Sequence, residues 1–184
     1  MKAFYNPSSG WWVSDATKAG LELALKRNDV ATAKLLTEHL RAVLRELGPR
    51  GRVLHLAHSG GAILTYLAAK HHLTAEEKGR IDVATFGGGK SITRKYFRGR
   101  TVNYYSRNDP LLLLDQRAAK LSKLAVGGSP CAEVKDMKHN TTFVYLSPLG
   151  NNPLVDHSMG GPTYQVHLSS LILINRRLIR MYEF

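Results

Sequence analysis

The sequence predicts an α/β fold, a three-layer sandwich in which a mostly parallel sheet lies between helices. Short apolar segments typical of strands alternate with longer segments whose apolar residues recur at helical spacing. Parallel strands need long crossover connections, and helices in those connections cover both faces of the sheet. The chain has 184 residues, enough for one core, so we expect a single domain over 1–184.

The first quarter of the chain is expected to hold one strand and two helices. The apolar segment 2–5 is predicted to be a strand. A helix is expected over about 14–26. A second helix is expected from Asp29 to Gly48, where the glycine and the proline that follows it are stop signals.

The rest of the chain continues the alternation of strands and helices. A segment rich in glycine and proline, 151–162, is predicted to be a loop that follows the last strand. The predicted strands are 53–57, 81–86, 101–106 and 140–146, and the predicted helices are 62–72 and 163–180.

Positive charge is the most unusual bulk property of the chain. Lysine and arginine number 26 against 14 aspartates and glutamates, which gives a net charge of +12 at pH 7. The basic residues are spread along the chain, which favours a solvated surface and also allows peripheral contact with an anionic membrane. The basic segments lack the interleaved aromatic residues of a single-strand binding platform, so we do not expect nucleic acid as a partner.

Targeting signals and cysteines bear on the compartment. No apolar run reaches the ~20 residues that span a bilayer, and the first residues lack the apolar segment of a signal peptide. Cys131 is the only cysteine, which excludes an internal disulfide. A cytoplasmic location is the default expectation, and export without a cleaved signal peptide stays open.

Ser59 is the candidate nucleophile, because it lies between a predicted strand and a predicted helix. Its surroundings are Ala-His-Ser-Gly-Gly at residues 57–61. Hydrolases often carry the reactive serine on such a turn, written G-x-S-x-G, since small neighbours let a strained turn fit against the adjacent elements. Ala57 replaces the first glycine with the next smallest residue. The alternative interpretation is that Ser59 only caps the helix.

Three motifs resemble the lipase-like branch of the α/β hydrolases, and class 3 lipases in particular. They are His-Ser-Gly-Gly-Ala from residue 58, Thr-Phe-Gly-Gly from residue 85 and Asn-Asp-Pro from residue 108. The opening Tyr-Asn-Pro from residue 5 resembles short lipase-like domains of bacterial effector-type proteins. The resemblance covers roughly 3–167. It implies a compact α/β-hydrolase-like sandwich with a minimal lid, acting on a lipid-like ester.

Asp109 is the predicted acid. In α/β hydrolases the acid comes between the serine and the histidine along the chain, and Asp109 follows the strand 101–106. Its Asp-Pro sequence also matches the acid loop of the family that the chain resembles. Two alternatives stay open: Asp115 is the nearest rival acid, and Asp109 also fits an ordinary turn before Pro110.

His157 is the predicted base among eight histidines. It lies in the loop 151–162, and loops at the end of a strand commonly carry catalytic groups. The Asp-His-Ser sequence around it also resembles the histidine loop of the lipase-like group. His167 and His139 are the alternatives, because they too follow the predicted acid along the chain.

Two backbone amides are expected to stabilise an oxyanion. The amide of Gly60 lies at a helix N-terminus, where the helix dipole favours negative charge. The second donor is expected in the loop after the first strand, where the Asn6 group and the amides of Ser8 and Ser9 are candidates. The same residues also fit a plain turn.

These residues predict acyl transfer on a carboxylic ester, in which Ser59 attacks, His157 moves the proton and Asp109 orients the imidazole. This chemistry needs neither a metal nor an organic cofactor. The alternative is a catalytically idle hydrolase-like module that binds a partner or an anionic lipid surface through its basic face.

Overall fold

Six helices and five strands are described in the computed structural model, which covers residues 31–125, 131–150 and 152–180, with side chains as far as residue 174. In chain order, helices α1 to α6 are Ala31–Glu46, Gly60–His71, Ala75–Gly79, Gln116–Ser122, Pro153–His157 and Pro162–Arg180. Strands β1 to β5 are Val53–His58, Ile81–Phe86, Thr101–Ser106, Cys131–Asp136 and Thr141–Leu146, and a 3-10 helix spans Pro110–Leu113.

The strands form one sheet in the order β1-β2-β3-β5-β4. The first four are parallel to one another, and β4 joins β5 as an antiparallel hairpin strand. The parallel strands therefore end at the same edge of the sheet, which is where α/β proteins place their functional loops. Ser59, Gly87, Asp109 and His157 all follow these strand ends.

The two faces of the sheet are covered by different helices because successive side chains of a strand point to opposite sides. Ile81 and Val83 of β2 pack against α1 and α2, and α4 covers the same face where β3 and β5 lie. Ala84 and Phe86 of β2 face the other way and pack against Tyr164 of α6. This arrangement confirms the predicted three-layer α/β sandwich with a mostly parallel sheet.

Several described elements differ from the prediction. The helices α3 and α4 were not predicted, because segments of one or two turns are too short to show helical periodicity. β4 is the outermost strand of the sheet on one side. We did not predict it, because its side chains alternate between exposed and half-buried and give no apolar signal. The segment 151–162 is only partly a loop, since Asn152 caps α5 through the amides of Leu154 and Val155. The predicted strand 2–5 and helix 14–26 lie outside the described residues. None of the described helices is long and apolar enough to cross a bilayer.

The connection from β2 to β3 follows an irregular path over residues 87–100, and Asn103 anchors it. The buried Asn103 amide donates to the carbonyl of Ile92 at 2.9 Å and accepts from the Ile92 N–H at 2.8 Å. The Thr85 hydroxyl donates to the same side chain at 2.9 Å. Since these buried groups satisfy one another, the segment lies in one fixed position on the sheet.

Candidate active site

Ser59 occupies the turn between β1 and α2 in a backbone conformation that favours glycine, with φ 53° and ψ −124°. Such a conformation costs about 1–3 kcal/mol and persists only where neighbours hold it. The Ser59 N–H donates to the carbonyl of Phe86 at 3.1 Å, and the Ser59 carbonyl accepts from the Gly89 N–H at 3.2 Å. Ser59 is the N-cap residue of α2 by position, but its side chain makes no capping bond to the helix, so its hydroxyl does not serve as a cap.

The structure brings the three predicted catalytic side chains into one hydrogen-bonded chain. The Ser59 Oγ lies 3.0 Å from the His157 Nε2, and the His157 Nδ1 lies 2.9 Å from the Asp109 Oδ2. His157 is 7% exposed and Asp109 is 2% exposed, whereas Ser59 is half-buried. With its proton on Nδ1, the imidazole donates to the carboxylate and accepts from the hydroxyl, as a general base requires.

Tyr164 supports the carboxylate, a role that our sequence analysis missed. Its hydroxyl donates to the Asp109 Oδ2 at 2.8 Å and accepts from the Ser106 N–H at 2.9 Å. Burial, together with the charge of Asp109, raises the pKa of Tyr164 well above its ordinary value, so the phenol keeps its proton. The Leu111 N–H donates to the other Asp109 oxygen at 2.9 Å, so Asp109 is a turn residue as well as the partner of His157.

Gly87 leaves the space in which the acid and the base meet. It follows β2 with φ +52°, and a Cβ at this position would lie 2.4 Å from the Asp109 Oδ2 and 2.9 Å from the His157 Nδ1. Any side chain there would therefore displace one partner of that hydrogen bond. The glycine triplet after the predicted strand 81–86 was the available signal, but its spatial neighbours follow only from the fold.

His58 holds the backbone of the candidate base. Its Nε2 donates to the carbonyl of His157 at 2.7 Å, and the two rings lie 4.8 Å apart. Burial lowers the pKa of His58 to about 4, although the bond to His157 opposes that shift. His58 is therefore neutral at pH 7. This geometry makes it a positioning residue for His157.

The alternative acid and bases are engaged elsewhere. Asp115 caps α4 by accepting from the amides of Arg117 and Ala118. His139 lies in the β4–β5 turn, where its ring bonds to Asp136. His167 packs against the ring of Tyr104, with centroids 5.8 Å apart. The structure thus favours Asp109 and His157 over their rivals.

The oxyanion donors are described only in part. Gly60 is the first residue of α2, so its N–H has no partner inside the helix and lies next to Ser59. Asn6, Ser8 and Ser9, the candidates for the second donor, lie outside the described residues. In the described ranges, no group of three or more His, Cys, Asp or Glu residues is placed to hold a metal ion.

Comparisons with known proteins add no assignment to this geometry. No protein-family model matches the chain, and no curated protein matches it. The resemblance to class 3 lipases therefore stays a prediction.

Gly87→Ala is expected to lower the free energy of unfolding by about 2–4 kcal/mol, because the methyl group meets Asp109 and the backbone is strained at positive φ. Gly79→Ala is the matched control, since a Cβ at the end of α3 meets nothing within 4 Å. Urea denaturation of both variants measures the difference. Equal stability of the two variants would contradict the crowding described at Gly87.

Acid is expected to destabilise the protein through His55 and His58, because burial lowers the pKa of each to about 4. The unfolded chain binds both protons near pH 6.5 and the folded chain only near pH 4, so stability is lost as the pH falls through this interval. Each histidine contributes a slope of about 1.4 kcal/mol per pH unit.

Replacing either histidine should remove its share of that slope. His58→Asn and His55→Asn are each expected to flatten the pH dependence of the unfolding free energy between pH 6.5 and 4 by one proton, and the double variant by two. Urea denaturation at stepped pH measures the slopes. An unchanged slope in the double variant would show that other groups cause the acid sensitivity.

Proposed function

We propose that the protein is a serine hydrolase that transfers the acyl group of a carboxylic ester to water. One observation carries the proposal: the hydroxyl of Ser59, on a positive-φ turn between strand and helix, bonds to an imidazole that bonds in turn to a buried carboxylate. A serine that only stabilised the fold would not need this strained turn, nor a base in line with an acid.

Each group has a defined role in the proposed reaction. The Ser59 Oγ attacks the ester carbonyl carbon while its proton passes to the His157 Nε2. The carbonyl π-bond opens to an oxyanion, which then re-forms the carbonyl as the alcohol leaves with the proton from His157. Water attacks the acyl-serine by the same route, which releases the acid and restores Ser59. Asp109 keeps its charge throughout and stabilises the imidazolium.

The start of α2 supports the charge that develops on the carbonyl oxygen. The Gly60 N–H is the donor nearest in sequence to Ser59, and the N-terminal end of a helix carries partial positive charge. One such donor contributes about a hundredfold to a thousandfold in rate when it is aimed at the oxyanion. The proposed role of the Gly60 N–H gives a reason for the strained turn at Ser59 to lie directly before α2.

Exposed apolar side chains on the segments that carry Asp109 and His157 favour a lipid-like ester. We call them the apolar rim. Leu113, 77% exposed, follows Asp109, and Leu149, 59% exposed, lies between β5 and α5. Such a surface in water is unfavourable by about 25 cal/mol per Å² of apolar area, so it fits contact with acyl chains or a lipid surface. The net charge of +12 further favours an anionic interface. The rim comprises Leu113, Leu114, Leu149, Leu154 and Val155.

Ser59→Ala is expected to reduce ester turnover at least about a thousandfold and to abolish labelling by a fluorophosphonate probe, because the attacking oxygen is removed. The melting temperature should stay close to that of the wild type. Ser170→Ala is the control, since this exposed hydroxyl of α6 bonds only to the carbonyl of Val166 in the described structure.

The same experiment separates the two functions that the sequence left open. Labelling that survives Ser59→Ala would refute Ser59 as the nucleophile. A folded wild-type protein that takes no probe, yet binds anionic liposomes in a salt-sensitive manner, would favour the idle hydrolase-like module.

Leu113→Ser with Leu154→Ser is expected to lower turnover of an emulsified long-chain ester about tenfold, because apolar contact with the lipid surface is lost. Turnover of a soluble short-chain ester should change less than about twofold. Met137→Ser is the control, since Met137 is 84% exposed in the β4–β5 turn, at the opposite edge of the sheet. Equal losses on both esters would contradict a role of the rim in lipid contact.

A further inference from the structure

A small polar cleft lies outside the candidate active site, and none of its residues belongs to the hydrogen-bonded chain of Ser59. Its volume is about 110 Å³. Basic side chains dominate its lining, and hydroxyl groups complete it. We call it the basic cleft, and its principal lining residues are Lys90, Ser91, Thr93, Lys95, Arg117 and His139.

The walls of the basic cleft are fixed by the fold. One wall is the β2–β3 connection, which Asn103 anchors through the backbone of Ile92. The same connection is tied to β5, because the Arg94 N–H donates to the Thr141 Oγ1 at 3.1 Å. His139, which lines the cleft, lies in the turn just before β5, so the cleft lies near the end of the parallel strands opposite Ser59. A site with fixed walls loses little entropy when it binds a ligand.

Lys90 and Lys95 bring positive charge that the described residues do not neutralise. The Lys90 Nζ lies 5.7 Å from the ring centroid of Tyr66, and the Lys95 Nζ lies 5.9 Å from that of Tyr96. Neither ammonium group forms an ion pair within the described ranges. Aromatic faces hold an ammonium group without consuming its N–H donors, so both remain able to bind an anion.

The other charged groups in and beside the basic cleft already have hydrogen-bond partners. One Arg117 guanidinium nitrogen donates to the Asp136 Oδ2 at 2.8 Å, and the His139 ring bonds to the same oxygen at 3.0 Å. Asp115 is buried and accepts from the backbone amides of Ser91, Arg117 and Ala118. The two carboxylates are thus satisfied, whereas Arg117 keeps further N–H donors and the two lysines add net positive charge.

We propose that the basic cleft binds a phosphate-class oxyanion, held by the ammonium groups of Lys90 and Lys95 with Arg117 and the hydroxyl of Thr93. Ammonium and guanidinium groups are the usual protein ligands of phosphate oxygens. A cleft of about 110 Å³ has room for one tetrahedral anion. The phosphoryl group belongs either to a soluble compound or to a lipid headgroup.

Calorimetric titration with inorganic phosphate at constant ionic strength tests the site. The wild-type chain is expected to bind one phosphate, and Lys90→Gln with Lys95→Gln should weaken the affinity at least about tenfold. Lys120→Gln with Lys123→Gln is the charge-matched control, because both lysines are exposed around the end of α4 and do not line the cleft. The control should stay within about twofold of the wild type.

Three results would overturn the proposal: no stoichiometric phosphate binding by the wild type, equal weakening in both double variants, or no weakening in either. The first points to an empty polar recess, the second to diffuse attraction by the net charge, and the third to a site elsewhere. Turnover of a soluble ester, measured on the same samples, should be unchanged in the cleft variant. Phosphate binding and hydrolysis can therefore fail independently.

A second arm of the experiment identifies the source of the phosphoryl group. Phosphatidylcholine vesicles with and without phosphatidic acid are sedimented with each double variant. Selective loss of binding to the phosphatidic acid vesicles by the cleft variant supports the cleft and assigns the ligand to a headgroup. Equal vesicle binding by both double variants, alongside the expected phosphate titration, supports the cleft and assigns a soluble phosphoryl compound.

Discussion

One carboxylate oxygen holds the candidate site together. The Asp109 Oδ2 lies at hydrogen-bond distance from both the His157 Nδ1 and the Tyr164 hydroxyl, so it joins the end of β3 to α5 and α6. A buried carboxylate is costly unless its oxygens are bonded, and the Leu111 N–H satisfies the second oxygen. The requirement to satisfy this one group therefore fixes where three segments of the chain meet.

Glycines after β2 leave the space in which Asp109 and His157 come together. Gly87 has no Cβ to occupy the space between Asp109 and His157. Gly88 packs closely against α2, since a Cβ at Gly88 would lie 2.8 Å from the Ala62 Cβ. Ser59 takes up backbone strain that bonds from Phe86 and Gly89 hold in place. The strained turn and the tight packing act together, since both keep the Ser59 hydroxyl fixed opposite the His157 imidazole.

The exposed leucines and the basic cleft lie on different segments of the described structure. Exposed leucines lie on the segments that carry Asp109 and His157, whereas the cluster of Lys90, Lys95 and Arg117 lies along the β2–β3 connection and α4. An apolar surface attracts only at contact, whereas net positive charge acts over about a Debye length, near 8 Å at physiological salt. The proposed contact with an anionic surface would therefore use the net charge for approach and the leucines for contact.

The sequence alone determined the alternation of strands and helices, the turn at Ser59 and the order of serine, acid and histidine. These features are local, because each depends on a few consecutive residues: apolar periodicity, small residues around a serine, or Asp-Pro after a strand. β4 was not predicted, because the side chains of this outermost strand are exposed or half-buried and show no apolar periodicity. α5 was not predicted, because the glycines and prolines of 151–162 are typical of a loop.

Only the tertiary structure decided which histidine meets Ser59 and which residues support it. His157 was one of three candidates by sequence, and it lies against Ser59 because β1, β3 and β5 end at one edge of the sheet. The contacts of Tyr164 with Asp109, and of His58 with the carbonyl of His157, join residues 55 and 99 positions apart. No local pattern encodes such pairs, because they depend on packing between elements that are distant along the chain.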